Sequence, residues 1–182
     1  MLSAIGVEFV AVGTAVDELV DGLEPEELVV ENARRKALAG LELAEAGEGE
    51  VALGVDTEVV VDGNVLGKAA NVDEARERLL ALSGRTHEVL SGVVLACREV
   101  GEERAGVASS LVTFTRLDEA TLGLYLASGE WRDRAGAYAI QGLGSLLIER
   151  VEGDFANVVG LPLQLLLELA PELFPGISSD SA

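Results

Sequence analysis

Apolar residues along this chain recur with two different periods, and the period changes at turn signals. From Pro25 to residue 46, "PEELVVENARRKALAGLELAEA" places Leu28, Val29, Ala33, Ala37 and Leu41 at spacings of three and four, which line one side of a helix. Pro25 near the start and the glutamates after it favour a helix N-terminus. The same spacing returns in "NVDEARERLLALSG", with Asn71 as N-cap, Ala75, Leu79, Leu80 and Leu82 as the apolar side, and Gly84 as the stop. A shorter helix with an acidic start is expected at "DEATLGLYLASGEW", and a closing amphipathic helix at "LPLQLLLELAPEL".

Other stretches follow the two-residue period or run continuously apolar. "VEFVAV" at 7–12 alternates and predicts a short strand. "VALGV" followed by "TEVVVDGNVLG" predicts a buried strand and a hairpin, in which Asp62-Gly63 supplies the positive φ angles of a tight turn. "HEVLSGVVLAC" and "GVASSLVTFTRL" read as strands separated by a charged turn at 98–104, and "AYAI" and "GSLLIERVEG" as two more. The acidic "EAGEGE" at 45–50 reads as a surface loop and "PGISSDSA" as a flexible tail over 175–182. Helices interspersed with strands predict one α/β domain over 1–174, a mixed central sheet flanked by helices.

Composition narrows what such a domain does. In 182 residues, half of them apolar, aromatics make up 4%, so the core is built from Val, Leu, Ile and Ala. A formal charge of −19 repels polyanions and argues against nucleic acid or an anionic membrane as partner. No stretch has the length of a bilayer span and no secretory leader pattern opens the sequence, so a soluble, cytoplasmic protein is expected. One cysteine, Cys97, and one histidine, His87, exclude a Cys/His metal cluster. Cys97 is expected as a small buried side chain and His87 in a hydrogen-bonded structural role.

The candidate chemistry lies elsewhere. Only two lysines, Lys36 and Lys68, stand against eleven arginines. A lysine ammonium is a compact charge suited to a phosphate oxygen, although two lysines left on the surface by drift would look the same. Asp56 follows an apolar run at the expected C-terminal edge of a buried strand, where open α/β sheets place ligands. There it serves to ligate Mg²⁺, to orient water, or simply to cap a turn. "GLGS" at 142–145 matches no phosphate-binding fingerprint and reads as a turn.

Taken together, "LGVDTEVVVDGNVLGKAANVDEARERLLALSGRTHEVLSGV" and "SGEWRDRAGAYAIQGLGSLLIERVEGDFANVVGLPLQLL" resemble the two conserved blocks of the Maf-like nucleoside triphosphate pyrophosphatases, over residues 3 to 174. The resemblance implies a sheet-and-helix fold of two lobes with a cleft, shared with inosine-triphosphatase-like proteins. It implies Asp56 as catalytic carboxylate and metal ligand, Glu18 as a further metal ligand, and Lys36 and Lys68 facing the triphosphate. Arg85, in "LSGRTH", is carried as another substrate-binding position. Thr57 and Gln141 match the subfamily that prefers dTTP and UTP, and an amide at Gln141 suits the mixed donor and acceptor edge of a pyrimidine. Also implied are a divalent cation (Mg²⁺, or Mn²⁺ or Co²⁺), pyrimidine nucleoside triphosphates as ligands, a homodimer, and a link to septum formation.

Two departures stand against that pattern. The family's opening strand and its Ser-x-Ser-Pro-Arg-Arg loop have no counterpart here, because "MLSAIGVEF" matches the last turn of the helix that follows them. The expectation is a natural start further upstream; the alternative is a nucleotide-binding or division-regulating protein inactivated by the loss. Ala69 also replaces the proline that follows the family's lysine.

Overall fold

The computed structural model describes residues 1–44, 51–98 and 103–174. The loop expected at 45–50, residues 99–102 of the expected turn, and the tail from 175 lie outside the described residues.

Helix α1 spans Pro25–Leu43, with Pro25 in its first turn beside Glu26 and Glu27. Its buried side is Leu28, Val29, Asn32, Ala33 and Ala37, so an amide joins the expected apolar stripe. Strands β1 (Val51–Val61) and β2 (Asn64–Val65) form the expected hairpin, turning at Asp62 and Gly63, both with positive φ. Helix α2 (Val72–Leu82) is capped as predicted: the Asn71 side chain accepts from the Asp73 and Glu74 amides. Strands β3 (Thr86–Cys97) and β4 (Glu103–Phe114) follow, then helix α3 (Glu119–Ser128), strand β5 (Ile148–Gly153), and helices α4 (Phe155–Val159) and α5 (Leu163–Leu169).

The sheet runs β2-β1-β3-β4-β5, and every described pairing is antiparallel, which narrows the mixed sheet expected. Alternation along the strands gives it two covered faces. Val60, Leu90, Val94 and Ala96 pack with Val29, Ala33 and Ala37 of α1. This helix lies so close that a Cβ on Gly54 would stand 2.0 Å from the Ala33 carbonyl oxygen, and one on Gly92 2.3 Å from that of Val29. Glycine at both positions lets α1 rest on the strands, which fixes the height of its side chains above the sheet. The opposite face carries two apolar clusters. One gathers Val59, Val89, Val112 and Phe114 with Leu79, Leu82, Leu122 and Leu147; the other sets Val93 and Leu95 against Leu166, Ala170 and Phe174.

Several expected elements form differently. The strand over 7–12 does not form: no strand among the described residues pairs with it, and Phe9 and Val10 are 52% and 69% exposed. Alternation can extend a backbone, but a strand needs a partner edge. "AYAI" is not a strand either. Gly136 and Ala137 take positive φ, and the Ala139 amide donates to the Tyr125 hydroxyl instead of to a ladder. In "GSLLIERVEG" the strand begins only at Ile148, after a 3₁₀ helix over Gly142–Leu147 that replaces the turn expected there. Helix α4 was not foreseen, and the closing helix breaks at Ala170 before a 3₁₀ turn at Pro171–Leu173. Cys97 is half-buried, less than expected. Among the described residues no helix is long and apolar enough to cross a membrane.

Candidate active site

Asp56 is not at the end of its strand. It sits mid-way along β1, opposite Gly92 of β3, on the face that α1 covers. The strand need not stop there because the carboxylate finds partners on the helix above: Lys36 Nζ at 2.5 Å from Oδ1 and Asn32 Nδ2 at 3.2 Å from Oδ2. Asn32 and Lys36 are one helical turn apart, so both reach the same spot.

Glu18 joins from the segment preceding α1. Its two oxygens meet two lysines, Lys36 at 2.7 Å and Lys68 at 2.6 Å. Lys68 follows the hairpin and is held by a bridge between its backbone and Ala135. The result is a chain of alternating charge, Asp56, Lys36, Glu18, Lys68, running from a buried carboxylate to a half-exposed ammonium. Burial alone would lower the Lys36 pKa, but hydrogen bonds to Asp56 and Glu18 and their charges overcome it and raise it. Burial would likewise raise Glu18, yet the hydrogen bonds and charges of the two lysines hold it below the usual carboxylate range. Both groups are therefore charged near neutral pH.

One carboxylate has no lysine. Glu58 lies two residues beyond Asp56 on the same face, is buried, and its Oε2 has no hydrogen-bond partner among the described residues. Burial first, and the charges of Asp56 and Glu18 next, push its pKa up to about 7, with Lys68 and Lys36 offsetting part of this. Sequence reading missed it, although a glutamate within an apolar strand was a visible signal.

Glu18, Lys36, Asp56 and Lys68 line a cleft of about 410 Å³ along the side of β1. Its other wall comes from Glu130, Asp133 to Ala135, Tyr138 to Gly142, and Val158 to Gly160. Thr57, on the face opposite Asp56, bonds Ser91 Oγ at 2.7 Å, and this polar pair falls between the two apolar clusters of that face. Gly160 closes on Thr57: a Cβ there would be 3.9 Å from the threonine hydroxyl. Asn157, fully buried, holds this turn by donating to the Val89 carbonyl oxygen and to Ser110, both at 3.0 Å. Gln141 is exposed on the far wall, its side chain without a hydrogen bond among the described residues. Glu130 sets the loop beside it by accepting from the Leu143 and Gly144 amides at 3.2 and 3.3 Å.

The structure thus brings Glu18, Lys36, Asp56, Thr57, Lys68 and Gln141 to one cleft. Arg85 is not among them; it pairs with Asp62 at the hairpin, 2.7 Å away, and is absent from the lining. His87 is buried beneath, its Nε2 2.8 Å from the Tyr138 hydroxyl and its ring edge-on to Phe114. Burial lowers its pKa to about 4, so it remains neutral, a structural residue below the cleft.

An antiparallel sheet with a helix laid on it and a cleft of alternating lysines and carboxylates defines a class of α/β domain. The chain belongs to the Maf-like family, whose model ("Maf-like protein") matches residues 1–173. Among its relatives, the dTTP/UTP pyrophosphatase of Xanthomonas oryzae pv. oryzae (strain MAFF 311018) is 45% identical over 165 residues, 90% of this chain and 86% of the relative. That of Symbiobacterium thermophilum is 42% identical over 181 residues, 97% of this chain and 91% of the relative. The protein of the same name from Thermococcus kodakarensis is 39% identical over 169 residues, 93% and 88% respectively.

Proposed function

We propose that this chain hydrolyses dTTP and UTP to the nucleoside monophosphate and pyrophosphate. The observation that carries the reading is the shared ammonium: Lys36 bridges Asp56 and Glu18 while Lys68 holds the other oxygen of Glu18, all at the wall of one cleft. The names of the relatives supply the substrate.

Each residue has a role that its position supports. Asp56 accepts a proton from the water that attacks the α-phosphorus, as the bond to the bridging oxygen breaks and pyrophosphate leaves. Lys36 and Lys68 exchange their carboxylate partners in part for phosphate oxygens and take up the charge that develops on the leaving group. Thr57 and Gln141 flank the space left for the base, where an amide pairs with both donor and acceptor groups of a pyrimidine.

The donor set suits a hard divalent cation. Glu18 and Asp56 offer carboxylate oxygens within reach of one ammonium, and Mg²⁺ commonly takes one or two carboxylates and completes its shell with substrate phosphates. Among the described residues no three His, Cys, Asp or Glu side chains are gathered to hold an ion unaided, which fits an ion that arrives with the triphosphate. Such a cation, when bound, neutralises phosphate oxygens and acidifies water.

The test is release of monophosphate and pyrophosphate from a panel of nucleoside triphosphates, with Mg²⁺ and then with chelator. Metal-dependent turnover strongest for dTTP and UTP is expected, and a folded chain that cleaves none of the panel overturns the reading.

A further inference from the structure

Asp56 and Glu18 come from segments with different backbone support. Asp56 is in the middle of a strand paired along its length with β3, whereas Glu18 lies in the stretch 7–20, which has no helix or strand. Their alignment has to be maintained by side chains. The ion pairs through Lys36 and Lys68 do so in the free protein, but those lysines are the groups that turn toward phosphate when substrate binds, so the tether weakens when alignment matters most.

Asn32 supplies a tether that does not involve phosphate. It is 1% exposed, and its carboxamide pairs with both backbone groups of Leu19, the residue after Glu18: Oδ1 accepts from the amide at 2.8 Å and Nδ2 donates to the carbonyl oxygen at 3.0 Å. This is the two-bond pairing a neighbouring strand would give, made here by one side chain. The second N–H of the same amide goes to Asp56 Oδ2 at 3.2 Å. One planar group therefore touches the Glu18 segment and the Asp56 carboxylate at once, leaving Oδ1 of Asp56 toward Lys36.

We propose that Asn32 is a positioning residue that holds the Glu18 segment in register with Asp56 and fixes the rotation of the Asp56 carboxylate. It acts through those two groups and does not itself touch substrate. The inference rests on the reading of Asp56 and Glu18 as the reactive carboxylates. A leucine would match the volume of Asn32 but leave the Leu19 amide, its carbonyl and Asp56 Oδ2 without their partner.

The experiment compares wild type, Asn32→Leu, Asn32→Asp and Asp56→Asn, by steady-state kinetics on dTTP with Mg²⁺ and by amide exchange at Leu19. Asn32→Leu is expected to unfold cooperatively, to exchange the Leu19 amide at least about tenfold faster, and to lose about ten- to a hundredfold in kcat, the usual cost of removing a group that orients catalytic ligands. KM should stay within about threefold, because the phosphate-binding lysines are untouched. If Asn32→Leu does not fold, the isosteric Asn32→Asp, which keeps an acceptor for Leu19 but has no amide to donate, should show the same fall in kcat. A folded variant with wild-type kcat, or with unchanged Leu19 exchange, or with its whole defect in KM, overturns the inference. A dead Asp56→Asn beside an unimpaired Asn32→Leu sinks this inference alone, whereas full activity of Asp56→Asn sinks the proposed function with it.

Discussion

The two faces of strand β1 meet the same cleft with opposite kinds of preparation. On the α1 face, Asp56 is bound on both oxygens, and Lys36 and Glu18 are each bound twice before any ligand arrives. On the other face, Thr57 has a single side-chain partner, Ser91, and Gln141 across the cleft has none among the described residues. A carboxylate held in advance, as Asp56 is, acts in the transition state without reorganising, whereas the lysines must turn from carboxylate to phosphate and Gln141 must find its partner on the ligand. Loss of Asp56 should therefore appear in kcat, loss of a lysine in kcat and KM together, and lesions on the second face in KM. The sharpest break of this division is Asp56→Asn, expected to lower kcat by about two to four orders of magnitude, the range for removing a general base, with the fold retained. Full turnover by a folded Asp56→Asn would show that the charged face is structural.

Glu58 tests the charged face through stability. Its pKa rises from its ordinary 4.5 to about 7 as burial, Asp56 and Glu18 disfavour its anion. Below pH 4.5 the acid is neutral in both folded and unfolded chains, and any stability it lends is fully present. As pH climbs toward 7 the unfolded chain ionises first, so that contribution is lost and stays lost above the folded pKa. Glu58→Gln should match wild type near pH 4.5 and gain on it by about 2 to 3 kcal/mol above pH 7, in denaturant melts with chelator present. A difference that does not change between those limits would mean the carboxyl is better solvated than its burial implies.

Lys68→Met sharpens the contrast further, because Lys68 is half-exposed and its pair with Glu18 is of the surface kind. Stability should move by less than about 1 kcal/mol, while kcat/KM for dTTP falls about ten- to a hundredfold through loss of a charge-assisted contact to phosphate. A large drop in melting temperature with little change in kcat/KM would reverse the assignment.

How far the sequence could be read follows from how local each determinant is. The Asn71 cap, the Asp62-Gly63 turn and the spacing of α1 are set within a few residues, and they form as expected. Lys36, Lys68 and Asp56 were legible as unusual residues, and the resemblance added Glu18, Thr57 and Gln141. Position within the fold was another matter. Asp56 read as a strand end because a carboxylate interrupts an apolar run, but Lys36 and Asn32, twenty and twenty-four residues earlier, satisfy it in mid-strand. Asn32 itself hid in a helix stripe. The far wall depends on contacts of still longer reach, such as Glu130 on the amides of residues 143 and 144 and Asn157 on Val89, which no local period encodes. Arg85, placed at the site by its motif, instead closes the hairpin on Asp62.

The smallest effect is expected on the loosely held face. Gln141→Ala removes an exposed amide that has no side-chain hydrogen bond to lose among the described residues, so neither stability nor kcat should change appreciably. What should change is the choice of base. A neutral hydrogen bond contributes about 0.5 to 1.5 kcal/mol, so KM for dTTP and UTP should rise about two- to tenfold while KM for a purine triphosphate stays flat. Thr57→Val would weaken binding less cleanly, since it also unpairs the fully buried Ser91 opposite it in β3. Unchanged KM ratios across the panel in Gln141→Ala would place the reading of the base elsewhere on the far wall, on the backbone of 139–142. A loss of kcat instead would mean that the two faces of β1 are coupled during turnover rather than divided in labour.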